Sequence, residues 1–125
     1  MSKINLNRFK KLIENNAVGV ATVGENGNPH NIAVGYVKVV ENDKIIITDV
    51  GMKETIENLK RNYNVALVVW NRNWERKCIG YEIKEAAKYF TSGKWKEFVD
   101  NLPQNKAYNP KGAILVTVYK IKKLA

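Results

Sequence analysis

The sequence predicts a mainly β domain, in which about six antiparallel strands close into a small barrel with helices at its margins. Short β-branched and aliphatic segments recur along the 125 residues, and polar or glycine-containing turns separate most of them. An Asn-Gly pair marks one tight hairpin. Only three stretches carry apolar residues at helical spacing. No linker or repeat divides the chain, so residues 1–125 are expected to form one domain.

The chain is predicted to begin with a helix and a hairpin. Asn5 is a plausible cap, and the helix should stop near residue 16. Its apolar face consists of Leu6, Phe9, Leu12 and Ile13. A short strand over 18–23 then leads into the hairpin signal at Asn26-Gly27, and the returning strand is predicted over 30–40.

A strand, a tight turn, a helix and a second strand follow. The aliphatic run over 44–48 reads as a buried strand, and Gly51 frees the backbone for a sharp turn. Thr48 and Asp49 offer side-chain oxygens that could cap the helix start. The predicted helix has one apolar face formed by Met52, Ile56, Leu59 and Tyr63. Residues 64–70 return as a strand.

The start of this helix has a possible chemical use. A helix N-terminus presents unpaired backbone N–H groups and the positive end of the helix dipole, which suit a phosphate. Lys53 and Thr55 lie in the first turn, where they would add a cation and a hydroxyl donor. The same pattern also fits an ordinary helix that binds nothing and has a solvated lysine, because most capped helices have no ligand.

The last part of the chain alternates strand, helix and strand. After a loop over 71–75, residues 77–90 read as a long strand in which Gly80 would mark a bend or a bulge. Ser92 is the expected cap of a helix with an amphipathic stripe of Trp95, Phe98, Val99 and Leu102. The final strand is predicted over 113–121, with Ile114, Val116 and Val118 on one face.

Composition excludes several classes of function. One cysteine, Cys78, allows no internal disulfide, and it is expected to pack as a small hydrophobe. With His30 as the single histidine, a zinc site would have to consist mainly of carboxylates, which is rare. No apolar run approaches the ~20 residues of a membrane span and the N-terminus is polar, so a cytoplasmic protein is expected. The net charge of +9 fits a solvated lysine surface, a polyanionic partner or an anionic ligand.

The order of elements and several motifs resemble the FMN-binding split barrel of the pyridoxamine-phosphate-oxidase-like superfamily, most closely its small single-domain FMN-binding proteins. The likeness covers about residues 6–121. Four pieces carry it: the opening helix with residues 18–22, the hairpin with residues 30–39, residues 51–55 with Asn58-Leu59, and residues 80–84 before Ala86-Ala87. The resemblance implies a split β-barrel that holds FMN at a homodimer interface.

The resemblance also implies which residues bind the cofactor. The phosphate would lie near the start of the helix at Met52, Lys53 and Thr55. The isoalloxazine ring would lie along the strand formed by Asn31, Ile32, Ala33 and Val34. Thr48, Asp49 and Val50 would border the ring or the ribityl chain. Two positions depart from the usual pattern: Glu54 stands before Thr55 where lysine is common, and Glu85 stands where glycine is usual.

Two functions from different classes follow. The first is a flavoprotein in redox chemistry, in which FMN transfers electrons and the protein supplies position and electrostatics. Because no residue stands out as an acid, base or nucleophile, an enzyme, an electron carrier and a flavin store all stay open, as does the redox partner. The expected homodimer would cover the flavin with large residues near loops and strand ends: Trp70, Trp74 and Tyr108. The alternative is a small basic barrel that stacks single-stranded nucleic acid on aromatics of its strands: Tyr36, Trp70, Trp74 and Tyr81.

Overall fold

The computed structural model describes residues 3–73 and 75–124. In this part of the chain seven strands form one antiparallel sheet: β1 Val18–Val23, β2 Pro29–Val34, β3 Val37–Glu41, β4 Lys44–Asp49, β5 Asn64–Trp70, β6 Gly80–Phe90 and β7 Gly112–Lys123. The α-helices are α1 Lys10–Glu14, α2 Glu54–Arg61 and α3 Lys94–Asp100. Short 3₁₀ turns cover Leu6–Phe9, Glu25–Gly27 and Pro103–Asn105. The predicted mainly β architecture with flanking helices is confirmed.

The strand order explains how the barrel is split. Across the sheet the order is β2-β1-β5-β6-β7-β4-β3, so β2 and β3 are the two edge strands. They were predicted as one strand over 30–40, but Gly35 and Tyr36 interrupt it. Because β2 pairs with β1 and β3 pairs with β4, the chain must cross from one edge of the sheet to the other at this break. Two strands therefore replace one, and the barrel has seven strands rather than about six.

The buried residues divide into two layers. Alternate residues of the strands fill the barrel interior, which Leu6 and Ile13 of the N-terminal helical segment also enter. A second cluster lies on the outside of β4 and β7, where α3 covers Ile46 and Leu115. The aliphatic run of β4 is explained by this arrangement, since Ile45 and Ile47 face the interior while Ile46 faces α3.

Helix ends differ in places from the prediction. Asn5 caps the first turn as predicted, since its side chain accepts a hydrogen bond from the Asn7 amide at 3.0 Å. Tyr63 was assigned to the buried face of α2, but it follows the end of the helix and is 63% exposed. At α3 the cap position is Gly93 rather than Ser92, and φ there is +84°. The apolar stripe of α3 is confirmed, because its members pack on the outer layer.

Strand β6 carries an acid inside the barrel. A bend or bulge was predicted at Gly80, but Gly80 is the first residue of β6. The irregularity lies further along the strand, where the pairing with β7 shifts register between Lys84 and Glu85. Glu85 is fully buried and lies opposite Val65 of β5, a residue of the interior cluster. Neither carboxylate oxygen has a hydrogen-bond partner among the described residues. Burial raises the pKa of Glu85 to about 9. The backbone of Leu67 lowers this pKa by less than burial raises it, and the charge of Glu82 raises it further.

Within residues 3–73 and 75–124, none of the helices has the length and apolar character that crossing a membrane requires.

Candidate functional site

An open groove of about 520 Å³ lies at the split of the barrel. One wall is the edge strand β2 with the Gly35-Tyr36 crossing, and the other is the end of β4 with the turn that leads into α2. Its lining is mostly apolar: Ile32, Ala33, Val34, Gly35, Tyr36, Thr48, Val50, Gly51, Met52 and Tyr108. A groove of this size and character suits a planar organic ligand.

Asp49 holds the turn between the groove and α2. Its Oδ1 accepts hydrogen bonds from the amides of Gly51 at 3.0 Å and Met52 at 2.7 Å. Asp49 was expected to cap α2, but it bonds to the turn before the helix instead. The N-cap residue of α2 is Lys53, whose side chain makes no capping hydrogen bond. Asp49 is 1% exposed and does not line the groove itself, so its effect on the groove is through the turn that it holds.

Tyr89 of β6 supports Asp49 from behind. Its hydroxyl donates to Asp49 Oδ2 at 2.6 Å, which pairs the second carboxylate oxygen. Burial, together with this hydrogen bond and the charge of Asp49, raises the pKa of Tyr89 above its ordinary 10.0. Gly112 of β7 is required beside this pair, because a Cβ there would collide with the Tyr89 ring. Three strands thus position one turn.

We expect Tyr89→Phe to lower the free energy of unfolding by about 1–3 kcal/mol, because one oxygen of a buried carboxylate loses its donor. Denaturant unfolding measures this change. Tyr81→Phe is the matched control, since Tyr81 lies on the same strand and its ring packs edge-on against Phe9 at 4.9 Å. Equal losses in both variants would contradict a special role for the Tyr89–Asp49 bond.

The start of α2 is open and carries a cation. The first-turn amides of a helix have no intrahelical acceptor, and the side chain of Lys53 is exposed there. Thr55 is 2% exposed, so its hydroxyl does not stand on the surface beside Lys53. The side chain of Glu54 contacts His30 of β2, with Nδ1 and Oε2 separated by 3.0 Å. Glu54 is therefore in contact with a neighbouring strand, while Glu57 is a second acid in the first turn of α2.

A second, polar pocket of about 500 Å³ adjoins the helix start. It lies between the β1–β2 hairpin and α2, and its charged lining consists of Glu25, Lys53, Glu54, Glu57 and Arg61. At its base Asn58 donates to Thr22 Oγ1 at 3.0 Å and accepts from Arg61 at 3.0 Å. Lys53 thus lies where the helix start meets this polar pocket, one residue beyond the last groove residue of the turn, Met52.

The structure brings most of the predicted cofactor residues together. Six of them line the groove: Ile32, Ala33, Val34, Thr48, Val50 and Met52. Asp49 lies beneath it, Lys53 and Thr55 stand at the helix start, and Asn31 is exposed on β2 outside the lining. Sequence reasoning missed the part played by Tyr36, and it placed Tyr108 on a partner subunit although Tyr108 lines the groove of its own chain. Gly35 was the available sequence signal, because a glycine within a predicted strand can mark the point where the strand is interrupted.

Other candidates lie elsewhere. Cys78 is exposed rather than packed, which corrects the expectation for it. Among the described residues, no three His, Cys, Asp or Glu side chains are grouped as a metal site requires. Trp70 lies at the end of β5, outside the groove lining, and Trp74 falls outside the described residues. Tyr81 packs against the core while Tyr36 lines the groove, so these two do not share the stacking surface that nucleic-acid binding would need.

The fold and site together define a split-barrel protein with an open, mostly apolar groove beside its edge strand β2. The sequence profile of the pyridoxamine 5'-phosphate oxidase family matches residues 6–124, and the chain belongs to this family. An uncharacterized protein of Methanocaldococcus jannaschii is 29% identical over 118 residues, which cover 91% of this chain and 76% of that protein.

Solved structures show the same fold. HupZ of Group A Streptococcus aligns with a TM-score of 0.84 at 23% identity, covering 94% of this chain and 91% of HupZ. An FMN-binding protein of Syntrophomonas wolfei aligns with a TM-score of 0.79 at 20% identity, covering 96% of this chain and 86% of that protein. At these identities the likeness establishes the architecture alone.

Proposed function

We propose that this protein is a flavoprotein that binds FMN, with the ring in the groove between β2 and β4 and the phosphate at the start of α2. The observation that carries the proposal is the order of the two features along the chain. The apolar groove ends at Met52, and the open helix start with Lys53 is the next residue. A flavin with a terminal phosphate needs these two environments in succession.

The groove fits the ring of a flavin. Ile32, Val34 and Met52 offer apolar contact, and they pack against the barrel interior on their inner side. As an edge strand, β2 also has backbone groups directed away from its partner β1, which are available to the polar edge of a heteroaromatic ring. Apolar walls with a few fixed hydrogen-bonding groups are typical of cofactor sites.

The helix start fits the phosphate. Unpaired amides and the helix dipole favour an anion, and the exposed ammonium group of Lys53 adds a full positive charge. Glu54 would repel a phosphate, but its carboxylate contacts His30 on the neighbouring strand β2. Asp49 and Tyr89 keep the turn before the helix in one conformation through three hydrogen bonds.

When bound, FMN supplies electron-transfer chemistry. The chain's own contribution is to bind the ring, orient it and exclude water from one face. The titratable side chains that line the groove are the phenols of Tyr36 and Tyr108. A redox role therefore needs no acid or base from the lining beyond these hydroxyls, which favours an electron carrier or a flavin-dependent oxidoreductase.

The test compares FMN with riboflavin, which lacks the phosphate. We expect Lys53→Ala to weaken FMN about tenfold, because a hydrogen bond to a charged group is worth about 1.5–3 kcal/mol. Riboflavin affinity should not change. Lys60→Ala is the matched control, since Lys60 is an exposed lysine near the other end of α2. Absence of FMN binding by the unmodified protein would refute the proposal, and equal losses for both ligands would move the phosphate elsewhere.

We also propose that the protein is a homodimer and that flavin binding depends on it. Ala33 and Tyr108 are exposed in the groove, so a single chain would leave much of a bound ring in water. Burying an apolar face contributes roughly 25 cal/mol for each Å² removed from water, and a two-fold partner is the commonest source of a second wall. We expect sedimentation velocity over a concentration series to show a dimer that holds FMN. A monomer with stoichiometric FMN at every concentration would contradict this.

A further inference from the structure

We propose that Tyr36 and Tyr108 form a hydrogen-bonding subsite in the groove, which binds a carbonyl edge of the flavin ring and prefers the reduced flavin. The inference rests on the proposed function. It assigns a role to the two tyrosines that line the groove.

The two phenols are coupled to each other. Tyr36 donates its hydroxyl proton to the Tyr108 oxygen across 3.2 Å, and the ring centroids are 5.6 Å apart at an angle of 51°. A phenol has one proton to donate. The Tyr36 proton is used within the pair, which leaves the Tyr108 proton available to a ligand in the groove. Accepting one bond while donating another strengthens the donor.

Both tyrosines are attached to one buried residue of β4. The Thr48 amide donates to the Tyr36 carbonyl oxygen at 3.2 Å. The side-chain oxygen of Thr48, Oγ1, accepts a hydrogen bond from Asn105 Nδ2 at 3.1 Å. The backbone carbonyl of Asn105 in turn accepts from the Tyr108 amide at 3.0 Å. Thr48 is 4% exposed and Asn105 is 1% exposed.

This anchoring distinguishes the pair from ordinary surface tyrosines. Tyr108 is 45% exposed, yet its backbone is tied to buried groups and its ring contacts a second aromatic. Ordering a side chain before a ligand arrives reduces the conformational entropy that binding must overcome. Two fixed hydroxyls in a mostly apolar groove are therefore a prepared contact for a polar ring edge.

The preference for reduced flavin follows from charge. The hydrogen bond that Tyr36 donates to Tyr108 raises the pKa of Tyr36 above its ordinary 10.0, so Tyr36 keeps its proton at neutral pH. Reduction increases the electron density of the ring system, including its carbonyl oxygens. Hydrogen bonds to charged acceptors are roughly twice as strong as those to neutral ones. A neutral phenol donor at this edge therefore stabilises the reduced form more.

The experiment measures dissociation constants for oxidised FMN and for FMN reduced beforehand with dithionite, under anaerobic conditions. Tyr108→Phe removes the donor and keeps the ring. We expect reduced FMN to bind about tenfold more weakly and oxidised FMN about threefold more weakly, in line with a hydrogen bond to a charged or a neutral acceptor. The midpoint potential of the bound flavin should fall accordingly. Tyr36→Phe should act in the same direction with a smaller effect.

Tyr63→Phe is the control, because Tyr63 is an exposed tyrosine outside the groove lining. Riboflavin should show the same loss as FMN in Tyr108→Phe, since the contact is to the ring and not to the phosphate. An unchanged ratio of the two dissociation constants in Tyr108→Phe would overturn the inference alone. Failure of the unmodified protein to bind either flavin would overturn the proposed function as well.

Discussion

Glu85→Gln is expected to stabilise the protein by about 3 kcal/mol at pH 7. The pKa of Glu85 is about 9 in the folded protein against an ordinary value of 4.5. Between these values the folded state holds a proton that the unfolded state has released, so stability is highest below pH 4.5 and falls as pH rises toward 9. Each pH unit costs about 1.4 kcal/mol. Glutamine removes this loss because it does not ionise.

Denaturant unfolding of both proteins at several pH values between 5 and 9 gives the measurement, and the difference between the two curves isolates residue 85 from every other titrating group. The gain should be small at pH 5 and largest at pH 9. Glu97→Gln is the control, since Glu97 is an exposed glutamate on α3 and is not among the groups that shift the pKa of Glu85. Parallel stability curves for the unmodified protein and Glu85→Gln would contradict a buried, protonated acid in the barrel.

Ala33→Trp is expected to weaken flavin binding by at least ~100-fold, which corresponds to about 2.7 kcal/mol, while the fold persists. Ala33 is an exposed residue of edge strand β2, and it lines the groove. An indole at this position occupies space that the ring needs. The fold should tolerate it because an exposed position on an edge strand has room for a larger side chain.

Fluorescence titration with FMN measures the loss, and circular dichroism with thermal unfolding shows whether the variant is folded. Ala17→Trp is the control, since Ala17 is an exposed residue before β1 and outside the groove lining. Sedimentation of Ala33→Trp separates direct filling of the groove from loss of a partner subunit. A folded Ala33→Trp variant with unchanged FMN affinity would put the ring on another surface.

Local patterns were sufficient to predict most of the secondary structure. The predicted ranges for β1 and β5 agree with the structure, and the stripes of α3 and β7 are buried as their spacing indicated. Such patterns are reliable because alternation and helical periodicity record which face of an element meets the core. Tyr63 shows the limit: its spacing matched α2, but the helix ended two residues earlier.

Long-range contacts decided the details of the site. The resemblance implied that Asp49 borders the cofactor; the structure adds that Asp49 supports the following turn and is hydrogen-bonded to Tyr89, forty residues away. Tyr108 is likewise 72 residues from Tyr36 in the chain and 3.2 Å from it in space. No periodicity links such residues.

The sequence by itself determined most of the order of strands and helices and the apolar stretch that becomes one wall of the groove. Only the tertiary structure decided that β2 and β3 are opposite edges, that Glu85 is sealed inside the barrel, and that Thr48 anchors two tyrosines. The physical reason is that the spacing of apolar residues within each element shows which of its faces is buried. The partners of a polar group are chosen by sheet pairing between distant segments, and that pairing leaves no regular signal in the chain.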